Sequence, residues 1–477
     1  MIESSLRIGI VLIIGLVCNA TVAIRCLAQA VNDESNAEPT SVSEKSANVI
    51  TPDWSRSLKD CVLITAPTPN PQVTGPSGPT PTARVTDRVK VRELLAPWRE
   101  DYAAIRIGPR YINGVVGGFE QGSGLGLGVE FTTNDKFSWV EFRATAIVST
   151  QWFRRGRLTA YFPEIGDEQT HANVWFDYLL VRAWNFYGIG PRTPRATRTS
   201  FHMERRGYHG LLQRDFTKRF RAGVFAGLTN TGARNGDNND VPSINTFFSG
   251  NPAVRPITAF APGLDMNAEI SHYGLYGEYD GRSNTTGLTK GFYLYGMLGS
   301  WDGIDNGALF TDWGWVWSIL DARAYIPLGS NKTSFAARVF ASLEDPKGGS
   351  QIPFYYQSFI GGRLYVRGLR DYRFRANNAL VLSVEPRQTV WPMNDDNTRG
   401  IDIHAFGDGG QVWGDNRSSI DPSDPVVIAN RSFSSIKWRF GIGGGVTYRH
   451  NRAFAARIEV GHSNETNLVY ISFTRGF

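Results

Sequence analysis

Arg367, Glu385 and Asp408 are the residues whose types and spacing point to a built site. The run Gly361-Gly362-Arg363-Leu364-Tyr365-Val366-Arg367-Gly368-Leu369-Arg370-Asp371-Tyr372-Arg373-Phe374 packs Arg, Tyr and Gly too densely for a disordered loop. Downstream, Leu380–Arg387 alternates, so Ser383, Glu385 and Arg387 share one face of an extended strand and Leu380, Leu382 and Val384 take the other. Ile401–Val412 sets Asp402, His404 and Asp408 on one face against Ile401, Ile403 and Ala405. The chemistry this suggests is charge-assisted docking: Arg367 folds inward and its forked guanidinium engages Glu385 and Asp408, with Gly368 allowing a sharp turn beside it. The alternative is a set of unrelated surface charges, each worth little.

Acid–base chemistry finds few candidates among seven histidines. His462-Ser463 precedes the last alternating segment, and Asp402 or His404 would have to complete a relay. Neighbours on opposite faces of a strand relay protons poorly, and His404 reads as a lumen-lining residue. His171, His202, His209, His272 and His450 lack the spacing of a metal cage. No enzyme activity and no catalytic, cofactor-binding or metal residue is therefore assigned. Trp313, Trp315 and Trp317 alternate on one face; an interfacial girdle is the ordinary reading and a carbohydrate-binding platform the second. Tyr273, Leu275 and Tyr279 read as wall residues, with His272, Glu278 and Asp280 facing a lumen.

The elements that must position these residues are strands. Period-two alternation broken by Gly, Asn, Asp and Pro runs from about residue 108 to the end, with strands expected at 125–133, 137–149, 155–163, 172–184, 200–215, 220–229, 268–279, 290–300, 313–326, 331–342, 354–361, 376–389, 400–411, 434–447, 452–462 and 466–477. They number sixteen, and 110–119 alternates weakly as a lead-in or partner of the first. Long Thr231–Met266 suits an external loop, with Phe247-Phe248 placed to cover the lumen mouth, whereas Asn134-Asp135 and Arg449-His450-Asn451 suit short turns. The final segment puts Val469, Ile471, Phe473 and Phe477 on one stripe, with Phe473 and Phe477 forming a C-terminal barrel signature. The expected fold is all-β: a transmembrane antiparallel β-barrel with one inward-folded loop.

Residues 1–30 carry Arg7, an apolar run from Ile8 to Val17 and the small-residue exit Ala28-Gln29-Ala30, which reads as a signal peptide cleaved near Ala30. Cys18 and Cys26 would leave with it, and the remaining Cys61 has no intramolecular partner. No other run approaches the roughly 20 apolar residues of a spanning helix, so a closed barrel is the spanning option for an exported chain of this composition. Residues 31–107 read as a disordered or extended periplasmic segment, rich in Pro, Ser and Thr. Net charge of +6 is spread among acids without a basic block or aromatic platform, which disfavours nucleic acid as a partner.

Val366-Arg367-Gly368, the stretch from Asn377 to Arg387, and Phe406-Gly407-Asp408-Gly409-Gly410 together resemble the C-terminal region of the Omp85 superfamily, also called the bacterial surface antigen (D15) family. Phe186-Tyr187-Gly188-Ile189-Gly190-Pro191 resembles its early barrel signature, and Asp280-Gly281-Arg282-Ser283-Asn284 its mid-barrel segment. The resemblance covers roughly residues 108–477. It implies that an extracellular loop after the eleventh strand enters the lumen, with Arg367 as the loop arginine and Glu385 and Asp408 as the wall acids; residues 362–375 follow the eleventh expected strand. It also implies a BamA/TamA-like barrel in the cell outer membrane, working in protein insertion, translocation or outer-membrane assembly. Its partners would be outer-membrane lipid and lipopolysaccharide, the assembly machinery, and a protein client or separate periplasmic partner. The alternative is a surface antigen, passive solute pore or structural protein without a client. The chain departs from the family pattern in three places. Residues 31–107 show no recognisable POTRA repeat, no Gly-x-Ser-x-Gly lipase motif precedes the barrel, and Arg475 stands where the C-terminal signature places an aromatic.

Overall fold

The computed structural model describes residues 102–106, 111–118, 125–133, 139–236, 241–248, 261–283, 290–304, 313–329, 332–394, 399–414, 433, 438–450 and 455–473. The expected signal peptide, the tether up to residue 101, Arg475 and Phe477 lie outside the described residues, as do the side chains of Phe247 and Phe473.

The first half of the wall comprises β1 (Tyr102–Arg106), β2 (Ile112–Gly118), β3 (Leu125–Thr132), β4 (Glu141–Ser149), β5 (Arg154–Phe162), β6 (Thr170–Phe186), β7 (Thr199–Asp215), β8 (Phe220–Asn235), β9 (Met266–Asp280) and β10 (Gly291–Gly303). There follow β11 (Gly314–Pro327), β12 (Thr333–Pro346), β13 (Ser358–Ile360), β14 (Phe374–Ala376), β15 (Asn378–Pro392), β16 (Gly400–Trp413), β17 (Arg439–Arg449), β18 (Ala455–His462) and β19 (Asn467–Phe473). Each wall strand pairs antiparallel with its neighbour in sequence, except that β12 pairs with β15 across the inserted β13–β14 hairpin. One antiparallel sheet of 17 strands results. Setting aside the five-residue β1 leaves sixteen wall strands (17 − 1).

The membership of that set differs from expectation at two points. The segment 354–361 leaves the wall: its Ser358–Ile360 pairs with Phe374–Ala376 in a separate two-stranded ladder. Ile112–Gly118 takes a full place in the wall, paired with β3 over its whole length. Counted from β2, the strand preceding the inward loop is again the eleventh, but it is β12.

Alternation of burial along the strands separates two faces. Leu125, Leu127 and Val129 on β3, Val224 and Leu228 on β8, Ile458 and Val460 on β18, and Val469 and Ile471 on β19 are all at least half exposed. Their in-between neighbours, such as Glu130, Arg457, Glu459 and Tyr470, are buried. An apolar belt of this extent on an outward face, over a charged interior, is the inverse of a water-soluble sandwich and matches a wall facing lipid. No helix among the described residues is long and apolar enough to cross a membrane. β6 and β7 run to 17 residues, beyond the roughly 9–11 that span a bilayer, so they project past it at the long-loop end.

The tryptophan ladder of β11 points the opposite way from the expected girdle. Trp313 is 6% and Trp315 0% exposed, and Trp317 packs against the same buried cluster. The reason is parity: these residues share a face with Asp321 and Arg323, and the buried ion pair between those two fixes that face inward. Tyr273 and Leu275 do face outward, whereas His272 and Glu278 are buried.

Candidate functional site

Between β12 and β15 the chain turns inside the sheet instead of closing a hairpin, and the β13–β14 pairing is the stem of this inward segment. Its apolar side chains Ile360, Val366, Leu369 and Phe374 form one buried cluster with Phe340, Val381 and Val412 of the wall. This burial draws the segment onto the barrel interior and brings Arg367 against β15, β16 and β18.

Arg367 is 2% exposed, and each of its polar groups is used. Nε donates to Asp408 Oδ2 at 2.8 Å and Nη2 to Asp408 Oδ1 at 2.8 Å, a two-pronged fork on one carboxylate. Nη1 donates to Glu385 Oε2 at 2.9 Å and to Glu459 Oε1 at 2.7 Å. The backbone N–H of Arg367 donates to Asp408 Oδ2 at 3.0 Å, so the acid holds the main chain as well as the side chain. Phe406 lies beneath the guanidinium with its ring centroid 3.5 Å from Cζ, adding a cation–π contact.

Glycines let the loop backbone lie this close. Gly368 sits at φ 94°, and a Cβ there would meet the His462 carbonyl at 2.6 Å. On the wall, a Cβ at Gly441 would fall 1.7 Å from the Arg367 carbonyl oxygen, so only glycine admits the contact. Around the turn, Gly368 N–H donates to the Tyr470 hydroxyl at 2.9 Å and Ser463 Oγ donates to Gly368 O at 2.9 Å.

The structure thus brings Val366, Arg367, Gly368, Glu385 and Asp408 into one place. It adds Glu459 and Tyr470, which sequence reasoning missed, and Phe406 and Ser463, which it named without placing them beside Arg367. The signal for Glu459 was present: Arg457-Ile458-Glu459-Val460 alternates like the Glu385 strand, with the acid on the face opposite the apolar stripe. Tyr470 likewise falls between the exposed Val469 and Ile471.

Charge is balanced locally. Arg387 donates to Glu385 Oε1 at 2.7 Å, and Arg457 reaches Glu385 Oε2 at 2.7 Å and Glu459 Oε1 at 2.9 Å. Three carboxylates therefore face three guanidiniums. Glu385, His404 and Glu459 have ligand atoms close enough to surround a cation. Arg367, Arg387 and Arg457 already occupy those carboxylates, and a metal ion would have to displace positive charge to enter. Ser463 serves the loop turn, while His462 is solvent-exposed and pairs with Asn467, so the two do not form a nucleophile and base. Asp402 is taken by Arg449, Nε to Oδ2 at 2.6 Å.

A second clasp ties the loop across the lumen. Arg373 donates to Glu465 Oε2 at 2.5 Å and Oε1 at 2.9 Å, and to Thr193 O at 2.8 Å. Gly190 N–H donates to Arg375 O at 2.7 Å. The inward segment is thereby joined to the β6–β7 connection and the β18–β19 turn at once. Near the same mouth Phe248 packs edge-on against Phe186 at 5.4 Å.

Residues 272–467 match the Omp85 superfamily domain. The fold resembles BamA from Haemophilus ducreyi lacking POTRA domains 1–3, with a TM-score of 0.53 at 14% identity over 82% of this chain and 76% of that one. It also resembles CdiB from Escherichia coli, with a TM-score of 0.50 at 13% identity over 81% and 68% of the two chains. Among curated proteins none matches the chain. The lipid-facing belt of the barrel, together with the Omp85 superfamily domain match at residues 272–467, places the chain in an outer membrane.

Proposed function

From an Omp85 superfamily domain at residues 272–467, we propose that this barrel inserts or translocates another protein at the outer membrane, and that Arg367 is the latch that holds its inward loop in place. The observation that carries the reading is the number of independent ties on one guanidinium: Arg367 joins the loop to Asp408 on β16, Glu385 on β15 and Glu459 on β18. A loop clamped to the last strands couples the lumen contents to the part of the wall where β19 stands next to β2 in the sheet order. The same plug opposes the passive-pore alternative, since aromatic and ion-paired side chains occupy the long-loop end of the lumen. In this reading the client comes from the periplasmic side, directly or on a separate periplasmic partner, and lipid, lipopolysaccharide and the assembly machinery complete the surroundings.

Depleting the chain should lower delivery of particular surface or secreted proteins. In-membrane crosslinkers placed in 125–133 or 466–473 should capture a client or partner. Crosslinks only within the chain and to lipid, together with an unchanged surface proteome and spontaneous solute conductance, would replace this reading with the pore or surface-antigen one.

A further inference from the structure

A cavity of about 170 Å³ lies inside the sheet between β7–β12 and the inward loop. A single water needs only ~10–15 Å³, so there is room for a small molecule. We propose that this cavity binds a neutral sugar ring, using aromatic faces for its C–H surface and two pre-oriented acceptors for its hydroxyls.

The first acceptor ends a directed hydroxyl ladder. Trp317 Nε1 donates to Ser342 Oγ at 2.8 Å, and Ser358 Oγ donates to Glu344 Oε1 at 2.9 Å. The Ser342–Ser358 contact at 2.7 Å must then be donated by Ser342, because a hydroxyl has one proton. The ladder terminates in Glu344, which is 2% exposed and whose Oε2 is buried without a hydrogen-bond partner among the described residues. A group this buried is costly to leave unsatisfied.

The second acceptor follows from a histidine pair. Asp177 Oδ1 lies 2.7 Å from His209 Nε2, which fixes the proton there and leaves His209 Nδ1 as a lone pair. That lone pair lies 3.2 Å from His272 Nε2, which must donate to it, so His272 Nδ1 in the neutral pair is also an acceptor. It too is buried without a partner among the described residues. Trp301 stacks on the His272 ring at 5.7 Å and 11°, holding it in place.

Charge selects the ligand. Arg205, Arg323 and Arg338 line the cavity against Asp321 and Glu344, which leaves no net attraction for a cation. The arginines are already committed, Arg323 and Arg338 to Asp321 and Arg205 to Asp177, so an anion would have to displace an existing carboxylate partner. What remains is a neutral molecule rich in O–H donors. The half-buried rings of Trp317 and Tyr356 supply negative π faces for the weakly positive C–H groups of a pyranose.

The test uses the full chain folded in phosphatidylcholine nanodiscs, free of sugar-headed detergent, titrated calorimetrically with glucose, galactose and N-acetylglucosamine. Benzylamine and inorganic phosphate are the charged probes. At least one sugar should bind saturably with half-saturation at or below about 1 mM. Glu344→Gln and Trp317→Leu should each weaken it at least about tenfold; heat-modifiable migration confirms that a variant is folded, and either folded variant suffices. Competition by added lipopolysaccharide would assign the sugar to the outer leaflet, and lack of competition to a free sugar; both fit the proposal. No saturable sugar binding, binding of only a charged probe, or unchanged sugar binding in the folded variants would overturn it. The cavity is separate from the Arg367 latch, so either result leaves the transport reading to its own tests.

Discussion

At Arg367 one side chain satisfies three carboxylates that no single neighbour could serve, because a guanidinium offers five donors in a planar fork. Removing it strips Asp408 of its forked partner and leaves Glu385 and Glu459 to Arg387, Arg457 and His404 among the described residues. Arg367→Ala is therefore expected to lower barrel stability by ~3–5 kcal/mol, the cost of stranding buried charge. The urea midpoint of the heat-modifiable form reads this directly. Arg370→Ala, in the same loop, should stay within about 0.5 kcal/mol, and equal effects of the two would sink the docking argument. Arg367→Lys should recover only part of the loss, since an ammonium cannot fork one carboxylate while reaching two others.

The inward loop as an element is held at two ends by different devices. Near the wall it depends on close backbone approach over Gly441, so Gly441→Val should lift the Arg367 turn and open residues 362–375 to limited proteolysis in otherwise folded barrels. Protection equal to the unmodified chain would show that the loop rides higher than the geometry indicates. Across the lumen it depends on Arg373, which is 2% exposed, and Glu465. A double-mutant cycle of Arg373→Ala and Glu465→Ala should return a coupling of ~0.5–3 kcal/mol, as expected for contacting residues in one network. Additivity of the two single losses would assign Glu465 to the turn alone.

For the whole molecule the governing fact is the inversion of inside and outside. Val460 on β18 is 53% exposed and should meet lipid, so Val460→Arg is predicted to cost ~2–4 kcal/mol near mid-membrane and to reduce recovery of the heat-modifiable barrel from outer membranes. Asn464→Arg, in the exposed turn four residues on, should leave recovery unchanged. Release of the unmodified chain from membranes by high salt would contradict the belt itself.

Period-two alternation is a local property, and it was enough to establish the strand-rich barrel, the boundaries of most wall strands and the faces of Leu380–Arg387. The motif residues could be paired in advance because Glu385 and Asp408 stand opposite apolar stripes. Local alternation carries no information on which neighbour a strand finds. Residues 354–361 alternate like wall, yet Ser358–Ile360 pairs with Phe374–Ala376 inside, because the apolar side chains of that segment bury against Phe340, Val381 and Val412 rather than lipid. The β11 tryptophans failed for a related reason: aromatic type suggested the membrane interface, but the same face carries Asp321 and Arg323, and desolvating that pair against lipid would cost more than burying three indoles inside. Tertiary structure alone decided that Glu459, Phe406 and Tyr470, up to 103 residues from Arg367 along the chain (470 − 367), meet it in one cluster, since curling the sheet brings interior faces together that no sequence period records.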